Sequence, residues 1–330
     1  MDDIARLAGV SKPTVSRVMN GSTLVAEKTR RKVLDVTRKY AYSVNQAARR
    51  LRQNRANSIA VVIDLPSPPI QHISQPFFFN MLASVFTALN GQRQDGLLVS
   101  PEDESPETYE RMIASRRVDG VIFLGQGERR SVLRDLASTT VPFVVWGAPD
   151  KTAAYCTVGS DNLRGGTLVG ARFAELGRRH ILFVGSLESA YIEMQCRRQG
   201  LVQGFLNSGV TLELTDLQPT DLSNDAYQTA FQDYLDSGGA IPDAIFCASD
   251  TIAMTVLSAL RARNIAVPEQ TSVVGYDDIP AITHQVPTIT TIRQDTRLAG
   301  ALLVDKVIRT INDCAPESSM LPTKLVVRES

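Results

Sequence analysis

The sequence predicts an α/β protein in three parts: a three-helix head, a short hinge, and a body of two doubly wound parallel sheets. Three observations carry this. The first twenty residues have the pattern of a helix-turn-helix. The charge is split between a basic head and an acidic body. From Ser58 onward, short β-branched runs alternate with amphipathic helices, and the alternation restarts at Ser160.

The head begins with an apolar helix face (Ile4, Leu7, Ala8) that runs into Gly9, which permits a sharp turn. Ser11 then stands where it can cap a second helix, and Pro13 fits the first turn, where its missing N–H costs little. Val15, Val18 and Met19 supply the inward face of that helix. Lys12, Thr14, Ser16 and Arg17 are left outward, with Asn20 at the end, on a polar face suited to base edges and phosphates. An ordinary helical hairpin with solvated charges has the same local pattern, so the charge balance matters. Residues 1–55 hold 13 Lys and Arg against 4 Asp and Glu, and the other residues hold 22 against 31, so a net of zero is +9 on the head and −9 on the body. Such asymmetry points to a polyanion-binding module joined to something that is not one. After a turn at Asn20-Gly21-Ser22, residues 27–40 follow helical spacing and complete a compact bundle, with the third helix as packing and a phosphate-facing flank.

The next stretch, 42–55, has an N-cap candidate in Asn45, four arginines and one apolar residue expected to be exposed, Leu51. It is only about two turns long, and so short an isolated helix is marginal in water. Spacing alone leaves two readings open. One is a flexible linker. The other is a minor-groove element in which paired copies wedge leucines into a base step while arginines neutralise phosphates.

The body reads as strands 59–63, 96–99, 119–124 and 141–146 between helices 78–92, 105–116 and 129–138. After Ser160 come helix 162–176, strand 180–184, helix 196–208, a strand at 212–217, helix 224–236, strand 243–247, helix 250–263 and strand 272–276. Continuous apolar strands between helices indicate parallel sheets covered on both faces. Two such series imply two lobes, with a cleft at the carboxyl ends of their strands.

The remaining features exclude more than they add. Cys156, Cys196, Cys247 and Cys314 are far apart, so neither a disulfide framework nor a zinc ribbon is expected. The first residues lack the pattern of a signal peptide, and no apolar run approaches the roughly 18 residues of a membrane span, so a cytosolic protein is expected. His72, His180 and His284 are widely separated, and neither a phosphate loop nor a nucleophile elbow is present. Gly125-Gln126-Gly127 follows a strand as a dinucleotide turn would, but Arg130 stands where the third glycine belongs, which leaves a plain strand-end turn. No enzyme, metal or cofactor is expected.

The sequence resembles the LacI/GalR family of transcriptional regulators along essentially its whole length. The resemblance is carried by Asp3–Asn20, Asn45–Leu51, Pro76–Phe78, Arg116–Gly120, Gly159–Asn162, Leu176–Ile181, Arg197 with Gly200, Val273–Pro280, Thr290–Gln294 and Leu321–Ser330. It implies a periplasmic-binding-protein-like core and a homodimer that binds a pseudo-palindromic operator and responds to a small effector in the interlobe cleft. Lys12, Pro13 and Arg17 then stand where the recognition helix reads bases. Arg17 suits guanine O6/N7, Lys12 suits guanine or phosphate, and Pro13 offers only apolar contact. Leu51 stands at the intercalating position, with Ala48 and Arg49 beside it. The chain starts a few residues short of the family's customary beginning, which implies one upstream phosphate contact fewer.

For the effector, the resemblance implies polar cleft positions at Asp161, Arg197 and Asp277, suited to vicinal hydroxyls or a carboxylate. Ser249-Asp250 matches the family's usual Asn-Asp pair. Phe77 and Phe78 match an apolar wall, Trp146 is placed to stack on a sugar, and Leu222 replaces a frequent aromatic. The 64–75 loop is longer than usual. The expected divisions are a head at 1–43, a hinge helix and linker at 44–57, and a body at 58–330. Lobe one takes 58–158 and 292–319, and lobe two takes 159–291 and 320–330. The expected function is a dimeric, ligand-responsive regulator, a repressor of carbohydrate-utilisation genes, with a non-sugar metabolite such as a nucleobase as the alternative effector. A sugar-binding protein or an α/β enzyme without DNA function would share the body but not the basic head.

Overall fold

The computed structural model describes residues 2–19, 22, 24–40, 55–63, 76–100, 104–149, 154–238 and 240–330. Asn20, Asn45, Ala48, Arg49, Leu51 and the 64–75 loop lie outside the described residues. The chain folds as two units, Met1–Ala56 and Asn57–Ser330.

In the first unit, helices α1 (Asp2–Ala8), α2 (Lys12–Met19) and α3 (Glu27–Lys39) enclose a small core of Ile4, Ala5, Ala8, Val15, Val18 and Val33. Gly9 has φ +62°, a conformation that side chains with a Cβ disfavour, and it turns the chain from α1 towards α2. The Thr14 N–H points back at the Ser11 hydroxyl, 3.4 Å away, as an N-cap requires. Leu7 departs from the expectation: it is 44% exposed. Ile4, Ala5 and Ala8 set the buried face of α1, and at 3.6 residues per turn Leu7 falls roughly 100° to its side.

The second unit holds two six-stranded sheets. The first runs β11 (Ser319–Leu321), β5 (Thr157–Ser160), β4 (Phe143–Trp146), β3 (Gly120–Leu124), β1 (Ser58–Ile63), β2 (Asp95–Val99). The second runs β12 (Lys324–Val326), β10 (Thr290–Arg293), β9 (Ser272–Asp277), β8 (Ala244–Cys247), β6 (His180–Val184), β7 (Glu213–Leu217). The pairings are parallel except β10 with β12. Strands β3, β4 and β8 are buried throughout, as sheets covered on both faces require. The covering helices are α4 (Pro76–Gly91), α5 (Pro106–Ala114), α6 (Arg130–Leu136), α7 (Asn162–Glu175), α8 (Ile192–Ser208), α9 (Asn224–Asp236), α10 (Asp250–Ala262) and α11 (Thr296–Ile311).

The chain passes between the sheets three times: after Ser160, after Arg293 and between Leu321 and Lys324. These crossings lie two or three residues beyond the expected lobe boundaries, because β5, β10 and β11 each complete a strand before leaving. Two of them are tied together. The Asp161 N–H donates to the Leu321 carbonyl at 2.9 Å, and the Thr323 hydroxyl donates to the Asp161 carbonyl at 3.2 Å. The α8 helix starts at Ile192, four residues before the expected 196.

Helices α7 and α8 approach through four glycines. A Cβ on Gly166 would lie 2.0 Å from the Arg197 carbonyl oxygen, and one on Gly200 would lie 2.0 Å from that of Leu163. A Cβ on Gly170 would lie 2.2 Å from the Leu201 carbonyl oxygen, and one on Gly204 would lie 2.5 Å from that of Thr167. Backbone therefore packs on backbone here, which fixes the position of Arg197 at the sheet end. Among the described residues, no helix is long and apolar enough to cross a membrane.

Candidate functional site

Two surfaces matter, one on each unit. On the first, α2 presents Lys12, Pro13 and Arg17 to solvent, with Thr14 and Ser16 half-buried beside them. The Lys12 ammonium pairs with the Asp2 carboxylate at 2.9 Å, half-exposed. So exposed a pair is worth little and yields readily to a phosphate.

On the second, a cavity of about 140 Å³ lies between the two sheets at the carboxyl ends of their strands. Lobe one contributes Phe77 and Phe78 from α4, the Gly125-Gln126-Gly127 turn after β3, Trp146 and Gly147 from β4, and Gly159 and Ser160 from β5. Lobe two contributes Asn162, Tyr191, Glu193, Met194 and Arg197, then Leu222, Asn224 and Tyr227, then Ser249, Thr251, Ile252 and Asp277. Gln294 comes from the second crossing.

One wall is aromatic. Phe77 and Phe78 meet edge to face with centroids 5.6 Å apart, and Phe77 leans on Trp146 at 6.0 Å. Trp146 is largely buried, so it both fills the lobe-one core and forms part of the wall. The opposite wall is polar. Arg197 is buried and donates from Nε to Asn162 Oδ1 at 2.8 Å and from Nη1 to the Ala248 carbonyl. Asp277, at φ +120°, accepts from Gln294 Nε2 at 2.7 Å. Burial pushes the Asp277 carboxyl up to about 7, against the opposing pull of the Arg197 charge and the Gln294 bond. The lobes touch through a hydrogen bond at the cavity rim, where the Ala148 N–H donates to Glu193 Oε1 at 2.9 Å.

Seven of the nine expected effector positions line the cavity: Phe77, Phe78, Trp146, Arg197, Leu222, Ser249 and Asp277. Asp161 and Asp250 do not. The Asp161 carboxylate caps α7, accepting from the Arg164 N–H at 2.9 Å. Asp250 is fully buried, accepting from the Ile279 N–H at 2.8 Å and from the Thr291 hydroxyl at 2.5 Å. It ties α10 to β10 and to the chain after β9, and burial and the Asp277 charge together raise its carboxyl well above the usual range. Its neighbour Ser249 caps α10, accepting from the Ile252 N–H. The expectation at Ser249-Asp250 treated adjacent polar residues as one functional pair, whereas the helix start takes Ser249 for its own N–H groups.

Sequence reasoning missed Gln126, Tyr191, Glu193, Asn224 and Tyr227. The Gly125-Gln126-Gly127 turn carried a usable signal, since it ends a buried strand at the side of the sheet where ligands bind. Gln126 is almost fully buried and donates from Nε2 to the Ala148 carbonyl at 3.0 Å. A Cβ on Gly147 would lie 2.7 Å from its side chain, so this glycine makes room for it.

Comparison with known proteins agrees with both halves. Residues 1–45 match the lacI family of bacterial regulatory proteins, and residues 171–330 match a periplasmic binding protein-like domain. The chain is 31% identical over 341 residues to the HTH-type transcriptional regulator CelR of Thermobifida fusca, covering 100% of this chain and 97% of that protein. It is 28% identical over 337 residues to the HTH-type transcriptional repressor PurR of Actinobacillus pleuropneumoniae serotype 3 (strain JL03), covering 99% and 97%. A CelR–cellobiose complex superposes with a TM-score of 0.72 at 29% identity, covering 99% of this chain and 98% of that one. The lac repressor dimer bound to operator and the anti-inducer ONPF superposes with a TM-score of 0.81 at 25% identity, covering 99% and 97%. An HTH-type head and a two-sheet body with a cleft are thus shared along the whole length, and the chain belongs to the lacI family of bacterial regulatory proteins, as an HTH-type transcriptional regulator.

Proposed function

We propose that the protein represses carbohydrate-utilisation genes in the cytoplasm, binding operator DNA as a homodimer through α2 and responding to a small carbohydrate in the interlobe cleft. The observation that carries the effector reading is the pairing of walls. An aromatic face (Phe77, Phe78, Trp146) stands across from amides, hydroxyls and carboxylates, the arrangement that takes both the apolar face and the hydroxyl edge of a sugar ring. Lys12, Pro13, Thr14, Ser16 and Arg17 form the base- and phosphate-facing side of α2, with Asn20 as its end. Asn45, Ala48, Arg49 and Leu51 belong to the hinge that reaches the minor groove.

Effector binding changes how the lobes close, and residues 44–57 carry that change to the head. A segment this short would be marginal as a helix on its own, so a coupling of about 1–3 kcal/mol suffices to switch it. The test is a thermal-shift screen of sugars, sugar acids and nucleobases on the full-length protein, followed by operator titration with each ligand that shifts the melting temperature. A sugar that shifts it and also changes operator affinity supports the proposal. A nucleobase as the sole ligand would replace the carbohydrate reading.

A further inference from the structure

Among the described residues that line the cavity, Glu193 and Asp277 are the acids and Arg197 is the one base. The base is already committed. Its Nε and Nη1 are held by Asn162 and the Ala248 carbonyl, and its guanidinium carbon lies over the Tyr276 ring, 3.7 Å from the centroid. A carboxylate or phosphate is recognised by two parallel N–H groups along one edge of a guanidinium. With Nε and one N–H of Nη1 taken within lobe two, the Nε edge of the guanidinium is not offered to the cavity as a fork. Arg129, just past the Gly125-Gln126-Gly127 turn, does not line it and is held by Glu104 in a largely buried ion pair at 2.7 Å.

The acceptors remain in surplus. Glu193 receives the Ala148 N–H on one oxygen and Asp277 receives Gln294 on one oxygen, so each keeps a second. The Gln126 amide nitrogen is bound to the Ala148 carbonyl, which fixes its oxygen as an acceptor, and that oxygen has no partner among the described residues. The buried Ser160 hydroxyl on the same wall has no partner either. A ligand that settles here must bring hydrogen-bond donors, and a negative group would meet the Glu193 carboxylate and, at Asp277, a second carboxyl whose ionisation burial already opposes.

Resting on the reading of the cleft as an effector site, we propose that it selects an uncharged, hydroxyl-rich ligand and rejects the phosphorylated or carboxylate-bearing form of the same skeleton. Glu193, Asp277 and Gln126 set this preference, while Arg197 is held by Asn162 and the Ala248 carbonyl.

Calorimetric titration of the full-length protein with matched probes tests this: cellobiose against cellobionic acid, glucose against glucose 6-phosphate, and ribose against ribose 5-phosphate. At least one neutral sugar binds, and it binds about tenfold or more tightly than its anionic partner. In Glu193→Gln, which keeps the acceptor for Ala148 and removes the charge, that ratio narrows several-fold. In Gln126→Met, the neutral sugar weakens and the anion gains nothing. An anionic member that binds as well as its neutral partner overturns the proposal while leaving the effector site standing. So does a ratio that Glu193→Gln leaves unmoved, since shape would then explain it. Failure of every sugar, neutral and charged, defeats the effector-site reading itself.

Discussion

Arg197 lies face-on over Tyr276, with its guanidinium carbon 3.7 Å from the ring centroid, and this contact joins α8 to β9 beneath the cavity floor. A desolvated cation over an aromatic face is worth about 2 kcal/mol or more. The same guanidinium holds Asn162 and the Ala248 carbonyl, so one side chain links the starts of α7, α8 and the chain after β8.

Replacing Arg197 therefore does more than remove a ligand contact. Arg197→Ala strands the Asn162 amide oxygen and the Ala248 carbonyl and leaves Asp277 without its nearby positive charge. It is expected to lower stability by about 2–4 kcal/mol, read by denaturant unfolding. Arg197→Lys recovers little, because an ammonium cannot make both hydrogen bonds and the stack together. A stability loss below 0.5 kcal/mol in Arg197→Ala would show that these contacts are incidental.

Asp277 gives the protein a signed pH dependence. Its carboxyl rises from 3.8 to about 7 in the fold, so the protonated form is the one the fold favours. Its contribution is complete below about pH 4 and drains away as the pH climbs through 7 and beyond. Asp250 shifts in the same direction, also through burial. The wild-type protein should lose stability between pH 5 and pH 8. Asp277→Asn, which keeps an acceptor for Gln294, should lose less and be more stable by about 2–4 kcal/mol at pH 8, with the gap closing near pH 4. Parallel stability curves for the two proteins would refute this.

The Asp161 carboxylate caps α7 and does not line the cavity. Asp161→Ala should cost about 1 kcal/mol of stability, as losing an N-cap does, and leave effector affinity within twofold. A tenfold loss of affinity at unchanged stability would return this residue to the binding site.

Much of this was legible in the sequence because periodicity and local chemistry write it there. Gly9, Ser11 and Pro13 announce the turn and the start of α2. The runs 59–63 and 180–184 announce buried parallel strands. The short strands were not legible: β11 and β12 are three residues each, and their place is set by pairing with β5 and β10, far away in the chain. The same limit applies to the site. Phe77, Arg197 and Asp277 stood out by family position, whereas Gln126 and Glu193 meet only through Ala148, 22 and 45 residues from them. Asp161 and Asp250 lie outside the cavity lining, since a carboxylate at a helix start looks the same in sequence whether it serves a ligand, its own helix as Asp161 does, or a distant segment as Asp250 does.

On the head, Arg17 is exposed on α2 and suited to a guanine edge. Arg17→Ala should cost about 1–3 kcal/mol on the preferred operator and relax selectivity at one base position in each half-site. Competition binding against single-base operator variants reads this directly. A uniform loss across all variants would make Arg17 a phosphate contact.

The most direct measurement is fluorescence anisotropy of genomic fragments with the full-length protein, with and without the sugar that shifts its melting temperature. A fragment bound far more tightly than random competitor, with an affinity that the sugar changes about tenfold or more, is the predicted result. Equal binding to every fragment, or a specific affinity that no cleft ligand alters, would contradict the account.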